Sequence, residues 1–378
     1  MPEAGLLGRN RFKLGLFGAN CSGGLAFTNV VERWDASWDN NLRLAQLADT
    51  AGLECLVPIA RWKGFGGTAD VNASTFETIT WATGLLAQTS RISIFGTIHV
   101  QMIHPILAAK QIVTADHVGR GRMGVNIVCG WNRDEFEMFR TEQHGHDERY
   151  VYAAEWWKVV TDLWRTDGHF DHAGKFFSFT GLEALPKPYG KRRPPMMNAG
   201  ASPAGRDFAI EYSDLHFDYC RAPEDSAPRI AETRQRASAL GRNVQVWIPV
   251  SVVCRPTQRD AECFAQHCVD YADWEGLDYQ YRLYQAETGS KSRSVEENAR
   301  NRAQDPARTV LGYGGSYSIR GNPDHVAAEL KRLHDAGFSG VAMGFVNYLQ
   351  ELPYFIQEVL PRLEKMGLRT SAQPVPAL

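Results

Sequence analysis

Two uncharged polar residues, Thr97 and Asn126, lie in consecutive apolar runs, Ile92–Thr97 and Arg122–Val128. Neighbouring strand ends can aim both side chains at one ligand atom. Uncharged donors and acceptors of this kind suit a carbonyl, a ring nitrogen or bound oxygen, although loop backbone can equally satisfy them. A second candidate is Gly200-Ala-Ser-Pro-Ala-Gly205, which follows an apolar run and opens a helical pattern. Free amides at a helix start, small residues and the Ser202 hydroxyl suit a phosphate. The plainer reading is an ordinary N-cap, Ser202 before Pro203. Arg149 and Tyr150 add a planar fork and a hydroxyl that can grip an anion, or else the surface ion pairs of a solvated turn, His146-Asp-Glu-Arg149. Arg61 and Glu135 are charged residues on expected loops, open either to a ligand or to solvent.

Several chemistries lose support. His99, His104, His117, His144 and His146 show neither HExxH nor a paired Cys/His spacing, so no metal site is expected. GxSxG, a P-loop and a strand followed by GxGxxG are all missing. A site this poor in obvious acids and bases points to a cofactor that carries the chemistry.

These residues must be positioned by elements. Apolar runs read as strands at Lys13–Ala19, Leu53–Ile59, Ile92–Thr97, Arg122–Val128, Pro195–Ala199, Leu215–Tyr219, Val244–Val253 and Val341–Phe345. Helical patterns alternate with them, for example Ser37–Ala51, Pro105–Val118 and Asp147–Trp164. Ser74–Ser90 also reads as a helix, with Ser74 and Glu77 as a capping box. Eight strand–helix units predict an α/β fold, a (β/α)8 TIM barrel in one domain spanning 1–378. Insertions are expected near 129–146, 166–194 and 272–321. A doubly wound sheet is the alternative, because strand order is not readable from sequence. In a barrel the site lies at the C-terminal strand ends. That rule selects Phe17, Ala60, Arg61, Thr97, His99, Asn126 to Trp131, Gly200 to Ser202, Tyr219 and Phe345.

Length and composition fit a globular chain: 378 residues, 44% hydrophobic, 22% charged, net charge −2. That charge balance offers no basic field for nucleic acid. No apolar run is long enough for a membrane span. Met1–Asn10 lacks an apolar h-region, so no secretory signal is expected. The seven cysteines are scattered without CxxC, which suits a reduced, cytoplasmic protein.

Taken together, Phe12–Ala19, Arg61-Trp-Lys-Gly-Phe-Gly-Gly67, Arg122-Met-Gly-Val-Asn-Ile-Val-Cys-Gly-Trp131, His146-Asp-Glu-Arg-Tyr150, Gly168–Phe179 and Asn198-Ala-Gly-Ala-Ser202 carry a family resemblance. The chain resembles the bacterial luciferase-like monooxygenases, nearest the branch of pyrimidine oxygenases and dimethylsulfone and dibenzothiophene-sulfone monooxygenases. The resemblance does not extend well into 272–321. It implies a barrel that binds FMN, delivered reduced by a separate NAD(P)H-dependent flavin reductase, with O2 as co-substrate and a small organic substrate. It places Ala60 and Arg61 against the flavin, and Asn126 and Thr97 beside the point where O2 meets it. Glu135 contacts the flavin or orders its loop, and Arg149, Tyr150, Gly200 and Ser202 hold the phosphate. Phe17, Trp62, Phe65, His99 and Trp131 become pocket walls, with generic core packing as the other reading of each. The Thr/Asn pair leans toward oxygen chemistry at flavin N5 over C4a. Arg61-Trp62-Lys63 replaces the pyrimidine enzymes' lysine, aliphatic and arginine, which argues against uracil itself. The family also implies a homodimer or homotetramer. Two other readings stay open: an F420-dependent oxidoreductase, and a flavin-binding barrel without catalysis.

Overall fold

Eight strands run parallel and close on themselves in the computed structural model, which describes residue 8, residues 10–288 and residues 295–371. In chain order the strands are β1 (Lys13–Phe17), β2 (Cys55–Val57), β3 (Ser93–His99), β4 (Met123–Val128), β5 (Phe170–Ala173), β6 (Ser178–Leu182), β7 (Met196–Asn198), β8 (Leu215–Phe217), β9 (Gln245–Cys254), β10 (Tyr317–Gly321) and β11 (Gly340–Gly344). The barrel follows the order β1-β2-β3-β4-β7-β8-β9-β11, and β11 pairs back to β1. The fold is therefore the expected (β/α)8 barrel and not a doubly wound sheet.

Both faces of these strands are buried, which is why they read as apolar runs. The lumen is filled by Cys55, Val57, Phe95, Met197, Leu215, Phe217, Trp247 and Ala342. The outer faces pack Leu14, Leu16, Ile94, Val125, Ile127, Ile248 and Val341 against the helical shell. Helix Glu148–Arg165 buries three tryptophans. Two of them satisfy their indole N–H against the neighbouring layer, Trp156 on the Ile103 carbonyl at 2.8 Å and Trp164 on the Ala109 carbonyl at 3.2 Å.

The three insertions acquire definite structure. The first holds the short helix Arg133–Phe139, and the second an antiparallel hairpin, β5 with β6. The third corrects the expected strand count. It contributes helices Trp274–Thr288, Val295–Gln304 and Pro306–Leu311, and then a ninth strand of the main sheet. That strand, β10, pairs with Val250–Cys254 of β9, above the short stretch Gln245–Trp247 where β8 ends. Residues 289–294 of this insertion, and most of Met1–Asn10 on which the secretory reading rested, lie outside the described residues.

The helix expected at Ser74–Ser90 is shorter, Thr78–Leu86, and Ser74 is not its cap. The Glu77 carboxylate caps it, accepting from the amides of Ile79 at 3.0 Å and Thr80 at 2.7 Å. Ser74 instead donates its amide to the Ser22 hydroxyl at 3.2 Å, and the Thr75 hydroxyl donates to the Asn72 carbonyl at 2.8 Å. Those bonds hold the segment in a loop across the barrel mouth. Among the described residues no helix is long and apolar enough to cross a membrane.

Candidate active site

Parallel register sets Thr97 of β3 opposite Asn126 of β4, so the two side chains share a face. Both are buried. The Thr97 hydroxyl donates to the Pro58 carbonyl at 2.6 Å, and Asn126 Nδ2 donates to Thr97 Oγ1 at 3.1 Å. Loop backbone thus satisfies Thr97. Among the described residues, buried Asn126 Oδ1 has no partner, and such an atom calls for a ligand donor.

Beside this pair lies a buried ion pair. The helix Arg133–Phe139 is capped by Asn132, whose side chain accepts from the Asp134 amide at 3.2 Å, and its first turn sends Glu135 inward. Glu135 accepts from Arg61 Nη1 at 3.2 and 3.1 Å and from the Trp62 amide at 2.9 Å. Neither charge is solvated, since Arg61 is 8% and Glu135 1% exposed. The guanidinium lies 4.5 Å from the Trp131 ring centre and 5.7 Å from that of Phe65, with Tyr313 beside it. Ala60, half-buried, carries the chain into this loop.

His99 Nε2 is 3.9 Å from Glu135 Oε2. Burial pushes the His99 pKa down to about 4; Glu135 opposes the shift and Arg61 adds to it. The imidazole is therefore neutral at pH 7. Its folded pKa lies below the unfolded value of about 6.5. The associated stability is complete above pH 6.5 and is lost as pH falls toward 4. Unfolding free energy of the wild type is expected to drop between pH 7 and pH 5 by about 2 kcal/mol more than that of His99→Gln. Urea titrations at the two pH values would show parallel losses if His99 titrated normally.

The remaining expected pocket walls divide. Phe17 packs edge-on to Phe217 at 5.2 Å, above the lumen filling. Trp131 stacks on Tyr284 at 4.0 Å with 15° between the planes. Phe65 is fully buried in a cluster with Phe27, and its packing there is that of a core residue. Trp62 is 40% exposed and lies edge-on to Phe139 at 4.9 Å, on the outer side of the loop.

The second region forms where β7 meets helix Pro203–Tyr212. Asn198 ties β7 to β4 through the Ile127 carbonyl at 2.7 Å and receives the Gly200 amide at 2.8 Å. Ser202 is the N-cap, accepting from the Gly205 amide at 3.1 Å. The Tyr150 hydroxyl lies beside the Ser202 side chain. Burial is the main cause that pushes the Tyr150 pKa up to about 12, so the phenol keeps its proton. Gly200 and Gly205 meet face to face; a Cβ on Gly200 would lie 2.6 Å from Gly205 Cα. Ala199, Ala201 and Pro203 are exposed, so this corner opens to solvent. Arg149 is buried nearby and donates to the Gly130 carbonyl. The plain reading of Arg149 as a surface ion pair fails; that of Ser202 as a cap holds, and leaves its hydroxyl at the rim. Protonated hydroxyls, first-turn amides and the positive helix end suit a phosphate.

Reading from sequence missed the residues that the third insertion brings to the mouth. Tyr284 covers Trp131, Tyr313 faces Arg61, and the Tyr279 hydroxyl donates to Asp134, which also pairs with Lys63 at 2.9 Å. The run Asp278-Tyr-Gln-Tyr-Arg-Leu-Tyr284 was the available signal: tyrosines this dense are unusual in a solvated connection. Among the described residues, no group of three or more His, Cys, Asp or Glu could hold a metal.

The family profile described as luciferase-like monooxygenase matches residues 14–340. An FMNH2-dependent dimethylsulfone monooxygenase of Pseudomonas fluorescens (strain Pf0-1) is 30% identical over 356 residues, covering 93% of this chain and 94% of its own. A pyrimidine monooxygenase RutA of Pseudomonas syringae pv. syringae (strain B728a) is 27% identical over 355 residues, covering 92% of this chain and 95% of its own. Among solved structures, a riboflavin lyase (RcaE) superimposes with a TM-score of 0.85 at 20% identity, covering 97% of this chain and 94% of that one. At that identity the likeness shows the barrel fold alone.

Proposed function

The chain belongs to the luciferase-like monooxygenases, and on that premise we propose that it is a two-component FMN-dependent monooxygenase of a small organic substrate. The observation that carries the reading is the pairing of β4 with β7. It sets a neutral acceptor that is unpartnered among the described residues, Asn126 Oδ1, next to a corner whose groups fit a phosphate. A flavin mononucleotide has complementary groups for both.

When bound, reduced FMN supplies two electrons and the chemistry that activates O2, with N5 as its proposed locus. One oxygen atom goes to the substrate and the other leaves as water. Arg149, Tyr150, Gly200 and Ser202 hold the phosphate end. Ala60, and Arg61 with its Glu135 partner, order the loop against the ring. Asn126, oriented by Thr97, faces the ring edge where O2 reacts. Phe17, His99 and Trp131, with Tyr284, wall the pocket and keep water from it. Sulfones and pyrimidine-like amides are the proposed substrates, following the relatives' names. The FMN arrives reduced from an NAD(P)H-dependent flavin reductase. The enzyme is proposed to be a cytoplasmic homodimer or homotetramer with one catalytic domain.

The test is a coupled assay of protein, FMN, reductase, NADH and O2 over a panel of sulfones and cyclic amides. O2 uptake matched by product, with little peroxide release, is expected for at least one substrate. Asn126→Ala should keep oxidised FMN binding within a few-fold while most O2 uptake ends as peroxide. Tight binding of F420 with no FMN binding would overturn the reading.

A further inference from the structure

Hydrogen-bond directions around Thr97 are fixed by chemistry. The Pro58 carbonyl has no proton to give, so across the 2.6 Å contact the Thr97 hydroxyl must donate. Its oxygen is then an acceptor toward Asn126, and the group facing it at 3.1 Å must be the Nδ2 amine. Turning the Asn126 amide over would set two acceptors against each other. Oδ1 is therefore locked as the outward atom of the amide, and it is buried with no donor among the described residues. An orphaned buried acceptor is destabilising unless a ligand supplies a proton to it. O2 carries none, so Oδ1 does not serve O2.

We propose that Asn126 Oδ1 accepts a hydrogen bond from the N5–H of reduced FMN, and that the Pro58–Thr97–Asn126 relay makes the site select reduced over oxidised flavin. The inference rests on the FMN reading above and deepens it. Reduced isoalloxazine carries a proton on N5. In the oxidised ring N5 presents only a lone pair, which would face the Oδ1 lone pair. The same contact is thus attractive in one redox state and repulsive in the other. N3, by contrast, carries a proton in both states, and a bond from N3 would give no selectivity. Asn126 touches the cofactor; Thr97 is a positioning residue acting through it.

Selective binding fits a protein that must take up reduced flavin and release the oxidised form. Selectivity is readable without turnover. Dissociation constants for oxidised and dithionite-reduced FMN are measured anaerobically, and the midpoint potential of bound FMN is measured independently. The ratio Kd(oxidised)/Kd(reduced) is expected to exceed one in the wild type. In Thr97→Val the lone pair that holds the amide is gone. The ratio should fall about tenfold, with the potential lower by about 30 mV for a two-electron couple. Thr97→Ser retains the hydroxyl and should retain the ratio. Asn126→Ala should lower the ratio as Thr97→Val does, and it serves if the valine variant does not fold. The proposal is overturned if both FMN forms bind but the ratio in Thr97→Val or Asn126→Ala stays within twofold of the wild type. Equal binding of both forms by the wild type would also overturn it and leave the FMN reading standing. Binding of neither form would instead remove the FMN reading itself.

Discussion

Glu135→Ala is expected to cost about 3–5 kcal/mol of folding stability, because it strands a buried guanidinium. Glu135 takes both of its bonds from Arg61 through one nitrogen, Nη1, and a third from the Trp62 amide. Both side chains are at least nine-tenths buried, so the screening that weakens surface pairs does not apply. Alanine removes the carboxylate and leaves the cation where water does not reach it. It also leaves the Trp62 amide without its acceptor. A pair of hydrophobic residues replaces a buried ion pair far better than a single truncation does. Arg61→Met with Glu135→Leu should therefore recover most of the lost stability. The double variant should still bind FMN poorly, since the loop after β2 is then tied to the helix Arg133–Phe139 only by the half-exposed Lys63–Asp134 pair and the Trp62–Phe139 contact, and no longer by a buried carboxylate. Guanidinium titrations of the two single variants and the double variant form the cycle. A single-variant loss below about 1 kcal/mol would mean that the pair behaves as a solvated one.

This ion pair also marks where sequence reading stops. Its partners are 74 residues apart on separate loops. A charged residue in a polar loop is by default solvated, and only the folded loops reveal that these two exclude water. Thr97 and Asn126 were legible for the opposite reason. They stand in consecutive repeats of a parallel barrel, where consecutive strands pair and the register follows from the repeat. Strand β10 was not legible. Its pattern, Tyr-Ser-Ile-Arg-Gly, alternates buried with half-buried residues, unlike the continuous apolar runs of the barrel. Among the described residues it pairs only with β9, along one edge, so it lacks the two-sided burial that gave the others their signal. The Ser74 capping box failed on competition. Ser22 and Asn72 offered that segment loop bonds, and Glu77 alone could cap the turn that remained. The tyrosines of the third insertion were visible as residues, but their destination depends on where helix Trp274–Thr288 docks.

Gly200→Ala is expected to weaken FMN binding by about a hundredfold while leaving riboflavin binding nearly unchanged. The added Cβ would lie 2.6 Å from Gly205 Cα and 2.7 Å from the Gly205 carbonyl carbon and oxygen. These are backbone atoms in the first turn of a helix, and no rotamer relieves them. The converse holds too, since a Cβ on Gly205 would lie 2.6 Å from the Tyr150 hydroxyl and 2.7 Å from Gly200 Cα. The turn can admit a methyl group only if the helix start moves off β7. That movement takes Ser202, its contact with Tyr150 and the first-turn amides with it. Overpacking of this kind costs about 1–3 kcal/mol in stability. Losing one or two charge-assisted bonds to a phosphate, at about 1.5–3 kcal/mol each, gives the hundredfold or more in affinity. Riboflavin lacks the phosphate and is blind to that loss, so the ratio of riboflavin to FMN dissociation constants reports on the corner itself. Gly145→Ala is the control, because a Cβ there would meet no atom of the described residues within 4 Å. Equal weakening of riboflavin and FMN by Gly200→Ala would mean that the turn supports the ring and not the phosphate.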